Sequence, residues 1–193
     1  MDKEIEIHPF QPYIPPQARV LIMGTFPPQP KRWSMEFYYP NRSNDFWFMM
    51  GLIFSGDRYA LYDTATRTFR LDDIKALLNR EGIALSDTGY RIHRQAGNAS
   101  DKFLEIIEPV NLDALLAKMP QCHTIATTGE KAAGVIAQLT DTVAPRMGEM
   151  VTDARGIEIW RMPSTSRAYP VSLEKKAEPY ARMFSHLGMN TKI

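Results

Sequence analysis

The residues with the most chemical potential fall in three short segments. Gly24-Thr25-Phe26-Pro27-Pro28 joins a glycine, which lets a ligand or a second backbone come close, to two prolines that stiffen the turn. The same residues also read as a rigid structural loop. They form no phosphate-binding loop, since neither a GxGxxG nor a GxxxxGKS/T pattern is present. Phe37-Tyr38-Tyr39-Pro40-Asn41-Arg42-Ser43-Asn44-Asp45-Phe46-Trp47 sets flat aromatic faces beside amides and hydroxyls. A ring such as Tyr39 can stack on a planar heterocycle, and the amide of Asn44 offers both a donor and an acceptor. Asn44 equally serves as a helix cap, and Phe46-Trp47 as core. Pro163-Ser164-Thr165-Ser166-Arg167-Ala168-Tyr169-Pro170 lines up consecutive hydroxyls with a guanidinium, a combination suited to phosphate oxygens and also to a ligand-free turn. Two smaller signals remain. Asp87-Thr88 holds a carboxylate that can orient water or cap a turn. Gly129-Glu130-Lys131 opens a helix whose first N–H groups favour an anion.

These segments follow elements that would hold them in place. Arg19–Gly24, Ile83–Asp87, His123–Thr128 and Ile157–Met162 are short apolar runs of the kind that suits strands covered on both faces. Between them lie helical patterns. Phe46–Phe54 reads as a buried helix, and Asp72–Arg80 as one with Gly82 as its C-cap. Asn111 caps a helix reaching Lys118, Gly129–Leu139 forms another, and Ser172 starts one that runs to His186, with Pro179 set to kink or shorten it. Alternation of strands and helices predicts a mostly parallel sheet with helices on both faces, and ligands gather at the carboxyl ends of such strands. Residues 1–17, broken by prolines, read as an extended, irregular arm, and Ser55–Arg70, with Arg58, Arg67 and Arg70, as a solvated surface loop in preference to a lineage-specific DNA contact.

Composition narrows the function classes. The 193 residues fit one domain, 1–193, and bury a sizeable core without staples. One cysteine, Cys122, excludes an internal disulfide or a four-cysteine metal site, and the four histidines show no ligand spacing. A net charge of +1 gives no bulk basicity, so any nucleic-acid contact must rest on one local face. No targeting segment or membrane span is visible, which makes the cytoplasm the expected location. Asn41 and Asn98 then start Asn-x-Ser sequences by chance.

Taken in order, the segments resemble the uracil-DNA glycosylase superfamily, and within it the branch that includes hypoxanthine-DNA glycosylases. Gly24-Thr25-Phe26-Pro27 is similar to that branch's first motif. Tyr38-Tyr39 with Asn44-Asp45-Phe46-Trp47 is similar to its Y-Y…N-x-F-W segment, and Pro163-Ser164-Thr165-Ser166-x-Ala168 to its second active-site motif. The likeness runs from Arg19 onward and leaves Ser55–Arg70 unmatched.

The resemblance implies a three-layer α/β/α sandwich around a four-stranded, mostly parallel sheet. It implies a monomeric DNA glycosylase of base excision repair, needing no cofactor or metal, whose partner is DNA carrying hypoxanthine or uracil. Gly24, Thr25, Phe26 and Pro27 would shape the base pocket, with Asn44 facing the scissile bond as the catalytic group and Asp87 as a second, water-orienting one. Tyr39 would stack on the extruded base. Ser164, Thr165, Ser166, Arg167 and Ala168, with Lys131, would contact DNA. There are departures: better-known members carry Asp or Asn where Phe26 stands, Arg167 replaces a proline, and Tyr169 an asparagine. A non-catalytic domain binding damaged or single-stranded DNA, and an enzyme of free nucleosides, remain alternatives.

Overall fold

The runs Val20–Gly24 and Ile83–Asp87 are buried along their whole length, and burial on both faces forces them into the middle of a layered structure. The computed structural model describes residues 4–95 and 101–193; Asn98 and the first three residues of the arm lie outside them. In chain order come β1 (Ile5–Ile7), β2 (Val20–Gly24), α1 (Phe46–Ser55), β3 (Tyr62–Asp63), β4 (Thr68–Phe69), α2 (Leu71–Glu81) and β5 (Ile83–Asp87). They are followed by β6 (Gly89–Arg94), β7 (Leu104–Pro109), α3 (Leu112–Ala117) and β8 (Thr124–Thr128). The chain ends with α4 (Glu130–Leu139), β9 (Met150–Thr152), β10 (Glu158–Met162) and α5 (Leu173–His186).

The central sheet has five strands in the order β5-β2-β8-β10-β9. The first four are parallel, as expected, and β9 adds an antiparallel edge. The four-stranded expectation missed β9 because Met150-Val151-Thr152 is short and mostly exposed, so it carries no apolar run. Side chains alternate across the strands. Val20, Ile22, Ile83, Leu85, Ala126 and Met162 meet α1, α2 and α5 on one face. Leu21, Met23, Ala84, Ile125 and Ile159 meet α3 and α4 on the other. Helix α1 is apolar all round and almost wholly buried, as its composition requires.

Local signals end the helices where the chain needs to turn. Gly56 and Gly82 close α1 and α2 in the left-handed conformation; Asn111 and Ser172 accept backbone N–H groups at the starts of α3 and α5. Pro179 withdraws one donor from α5 but does not end it, because Tyr180, Met183 and Phe184 beyond it are buried.

Two readings of the sequence need correction. The arm is not irregular throughout: β1 pairs with β6, which pairs with β7, in a second, antiparallel sheet. Tyr13 then exchanges two backbone hydrogen bonds with Leu85 and so covers the free edge of β5. Residues 55–70 are mostly exposed, as a solvated segment would be, but they are not an irregular loop. Strands β3 and β4 pair around a turn in which Asp63 accepts from the Ala65 and Thr66 N–H groups, and Leu61 and Phe69 are buried.

Gly82 links the arm to the sheet. Its φ is +69°, and a Cβ there would stand 2.4 Å from the Gln17 carbonyl oxygen. Gly82→Ala is therefore expected to cost about 2 kcal/mol or more, read as a lower urea midpoint at unchanged slope. An unchanged midpoint would mean that the arm does not pack here.

Candidate functional site

The carboxyl ends of β2, β5 and β8 meet at one place. Gly24 and Asp87 are partners in the parallel register of β2 and β5, and Thr128 ends β8. A Cβ on Gly24 would lie 2.7 Å from Asp87 Oδ1, 3.4 Å from the Tyr39 hydroxyl and 3.5 Å from Thr128 Oγ1. A side chain here would collide with the Asp87 carboxylate, while the Tyr39 hydroxyl and Thr128 Oγ1 stand at contact distance. Above this floor opens a cavity of about 570 Å3. It is walled by Gly24–Pro28, by Tyr39, Asn41 and Asn44, and by Ser164–Tyr169, with Asp87 and Thr128 beneath and Arg32 at the side. The three segments singled out in the sequence thus share one cavity, together with Asp87.

Tyr39 holds a left-handed backbone, φ +51°, which a bulky residue adopts only where its surroundings impose it. Those surroundings are a stack on Phe46, with centroids 3.7 Å apart and planes 15° apart, and a 3.3 Å hydrogen bond between its hydroxyl and Thr128 Oγ1. Burial, aided by the nearby Asp87 charge, pushes the Tyr39 hydroxyl well above the usual tyrosine range, so it stays protonated. One ring face is therefore already taken by Phe46, and Tyr39 meets the cavity with what remains.

Asn44 stands just before α1. Its Oδ1 accepts the Phe46 N–H at 2.9 Å. Because that partner is a donor, the orientation of the amide is settled: oxygen toward the helix, nitrogen away from it. The amide nitrogen has no partner among the described residues. Helix capping and an available donor are therefore compatible in one side chain.

The wall from Pro163 to Tyr169 is fixed by charge. Asp45 accepts Arg167 Nε at 2.9 Å and Lys176 Nζ at 2.8 Å, and Lys176 also donates to the Ser166 carbonyl at 2.9 Å. The Asp45 N–H adds a bond to the Thr165 carbonyl, and Asn44 bridges to Ser166. Arg167 lies 5.5 Å above the Phe48 ring. Its Nε is thus committed to the protein, and its half-exposed side chain leaves only the far end of the fork for a ligand. Ser164 Oγ and Ser166 Oγ each accept a backbone N–H two residues on, so both hydroxyls shape the loop as well as line it.

The first loop is held from the arm side. Arg94, on β6, makes two bonds to Glu6 and one to the Pro27 carbonyl, and it lies 5.8 Å over Phe26. Trp33 Nε1 donates to the Pro28 carbonyl. Lys131, in contrast, is not brought to the cavity: its amine bonds the Leu104 carbonyl on β7.

Sequence reasoning missed His8 and Lys176. His8 Nε2 lies 2.8 Å from Asp87 Oδ2, with both side chains less than a tenth exposed. Lys176 is 1% exposed. Its signal was present: on the apolar face Leu173-Ala177-Tyr180-Phe184 of α5, position 176 falls among core residues.

No family model and no curated protein matches the chain. Among solved structures it is similar to the solution NMR structure of a protein described as a "putative Uracil DNA glycosylase" from Methanosarcina acetivorans. The two share 21% identity with a TM-score of 0.65, over 96% of this chain and 99% of that one. At that identity the likeness establishes a common fold, the mainly parallel α/β arrangement described above. Among the described residues, no helix is long and apolar enough to cross a membrane.

Two outcomes follow from the geometry. Lys176→Met should cost about 3 kcal/mol by leaving Asp45 buried with one partner, and adding Asp45→Asn should recover part of the loss; chemical denaturation of both variants checks this. Gly24→Ala should displace the Asp87 carboxylate. Its expected signature is a changed cavity, seen as new chemical shifts for Asp87, Tyr39 and Thr128, and identical shifts would contradict it.

Proposed function

We propose that this chain is a monofunctional DNA glycosylase that hydrolyses the N-glycosidic bond of a deaminated base, hypoxanthine or uracil, flipped out of DNA, as a step of base excision repair. The observation that carries this reading is the convergence of three segments, distant in the chain, on one cavity into which Asn44 brings an unpartnered amide nitrogen. A volume of about 570 Å3 lies in the ordinary range for small-ligand sites, and a nucleoside fits it. The shared fold with the Methanosarcina protein supports the same reading.

Breaking an N-glycosidic bond builds positive charge on the sugar and negative charge on the departing base. A fixed donor aimed at the base favours that transition state, and one such donor is worth roughly 3 kcal/mol in other enzymes. Asn44 supplies it through Nδ2, held in place by the bond from Oδ1 to the helix. Hypoxanthine and uracil carry a carbonyl where adenine and cytosine carry an amine, so a donor at that edge favours the deaminated base. Asp87, the carboxylate among the described lining residues, orients the attacking water. The first loop, Gly24 to Pro27, closes around the base, and Tyr39 bounds the site. Ser164, Thr165, Ser166, Arg167 and Ala168 meet the DNA backbone. Lys131 belongs to that DNA face only if its bond to Leu104 is given up, so its part is the smallest.

The test is incubation, without metal, with labelled oligonucleotides that carry one uracil, hypoxanthine or xanthine, followed by alkali. Wild type should leave an alkali-labile site at one or more of these lesions. Asn44→Ala should slow single-turnover excision by about 100-fold while DNA binding stays within a few-fold. Near-normal excision by Asn44→Ala would remove it from the chemistry. Salt-sensitive DNA binding with no cleavage at any lesion would instead identify a non-catalytic damage-binding domain.

A further inference from the structure

The mechanism above needs a carboxylate held still, and the cavity does not hold it alone. Asp87 Oδ1 lies over Gly24, whereas Oδ2 points back to His8 Nε2 at 2.8 Å. A carboxylate only accepts, so Nε2 carries the proton. The other ring nitrogen, Nδ1, lies 3.1 Å from the Phe10 N–H and 2.9 Å from the Phe10 carbonyl oxygen. It thus has an acceptor's partner and a donor's partner within reach, and the bond from Nε2 to Asp87 survives in either state of Nδ1.

The ring itself is boxed. Phe26 meets it edge-on at 5.1 Å, Tyr38 stacks at 5.8 Å and Phe10 closes a third side at 6.0 Å. The backbone of His8 is pinned by its own N–H to the Tyr90 carbonyl, which continues the pairing of β1 with β6. These contacts hold the ring in one orientation, and its side-chain hydrogen bond beyond the arm goes to Asp87.

We infer that His8 is a positioning residue: it fixes Asp87 Oδ2 so that Oδ1 is presented to the attacking water. This rests on the glycosylase reading of the site. In the step it serves, a water O–H donates to Oδ1, the oxygen attacks C1′ as the bond to the base breaks, and the proton passes to the Asp87 carboxylate. The electron pair of the broken bond leaves with the base, beside the Asn44 amide. His8 exchanges no proton in this step. The β1–β6–β7 sheet then has a function: it carries the arm to the place where His8 reaches the far side of Asp87. Phe26, which has no proton acceptor of its own, contributes by bracing the His8 ring.

The experiment is a double-mutant cycle on single-turnover excision from the oligonucleotide that wild type cleaves, with DNA affinity and melting temperature measured for each variant. His8→Phe keeps an aromatic ring and removes the donor; it should lower the rate roughly 10- to 100-fold with DNA affinity unchanged. His8→Gln, whose amide nitrogen reaches the position of Nε2, should restore most of the rate. In an Asp87→Ala background, His8→Phe should cost nothing further, because a residue that acts through another has no effect without it. A wild-type rate for His8→Phe, or losses that add in the double variant, would overturn the inference. If His8→Phe does not fold, His8→Gln against the shorter His8→Asn makes the same comparison. If wild type cleaves no lesion, the glycosylase reading fails on its own. The pair is then judged by nitrogen NMR of the imidazole: protonated Nε2 that loses its protection in Asp87→Ala supports it, and an unprotonated Nε2 overturns it.

Discussion

The bond between Asp45 and the buried amine of Lys176 is the constraint on which the cavity depends. It joins the first residue before α1 to the first turn of α5, and through Lys176 and Arg167 it also grips the loop that follows β10. Taking an amine and a carboxylate out of water is costly, and their attraction offsets that only when the geometry is good and the remaining polar groups are satisfied. Here Asp45 has a cation on each oxygen, and Lys176 has a carboxylate and a carbonyl. What the arrangement secures is register. With Asp45 fixed, Asn44 beside it cannot drift from its bridge to Ser166, and two walls of the cavity keep their spacing.

The opposite wall is built by a different means. The loop after β2 carries few polar groups of its own, and it is held by Arg94 and Trp33 through the carbonyls of Pro27 and Pro28. Arg94 is in turn fixed on Glu6 of β1. A segment at the start of the chain thus stiffens a loop at the heart of the site. The small antiparallel sheet is a brace for the parallel one.

Much of this was legible in the sequence, and the reason lies in which residues face apolar surroundings on both sides. The runs at Val20 and Ile83 showed their strands because a doubly covered strand has to be apolar nearly throughout, while Thr124–Thr128 is as fully buried with three threonines and Glu158–Met162 is buried only at Ile159 and Met162. Strands β6 and β7 gave no such signal: Tyr90, Glu105 and Glu108 look outward, and a one-sided sheet rich in charge reads as a loop. The hairpin within residues 55–70 was hidden for the same reason, since only Leu61 and Phe69 mark its inner side. At the site, the motif residues were found by type and order, whereas His8 and Lys176 were not. Each acts through a partner far away in the chain, 79 residues for His8 and 131 for Lys176, and spacing along the chain cannot report such a pairing.

The chemistry that suits this site follows from how its polar groups are already engaged. Asn44 is neutral and its oxygen is tied to a helix, so its strength as a donor comes from being fixed and not from being acidic. Tyr39 is held protonated by burial and spends its hydroxyl on Thr128. The Ser164 and Ser166 hydroxyls stabilise their own loop. Apart from Asp87, these groups offer little proton transfer and much preorganisation, the property that stabilises a developing charge at no cost of rearrangement during the reaction. On the glycosylase reading proposed above, the cavity would suit a leaving group that departs as an anion without being protonated first, and a substrate that arrives already unstacked, as a poorly paired base does more readily than a sound one. On that same reading, selection would act before chemistry, at the stage where a base must leave the helix and fit walls held by the Asp45 and Arg94 contacts.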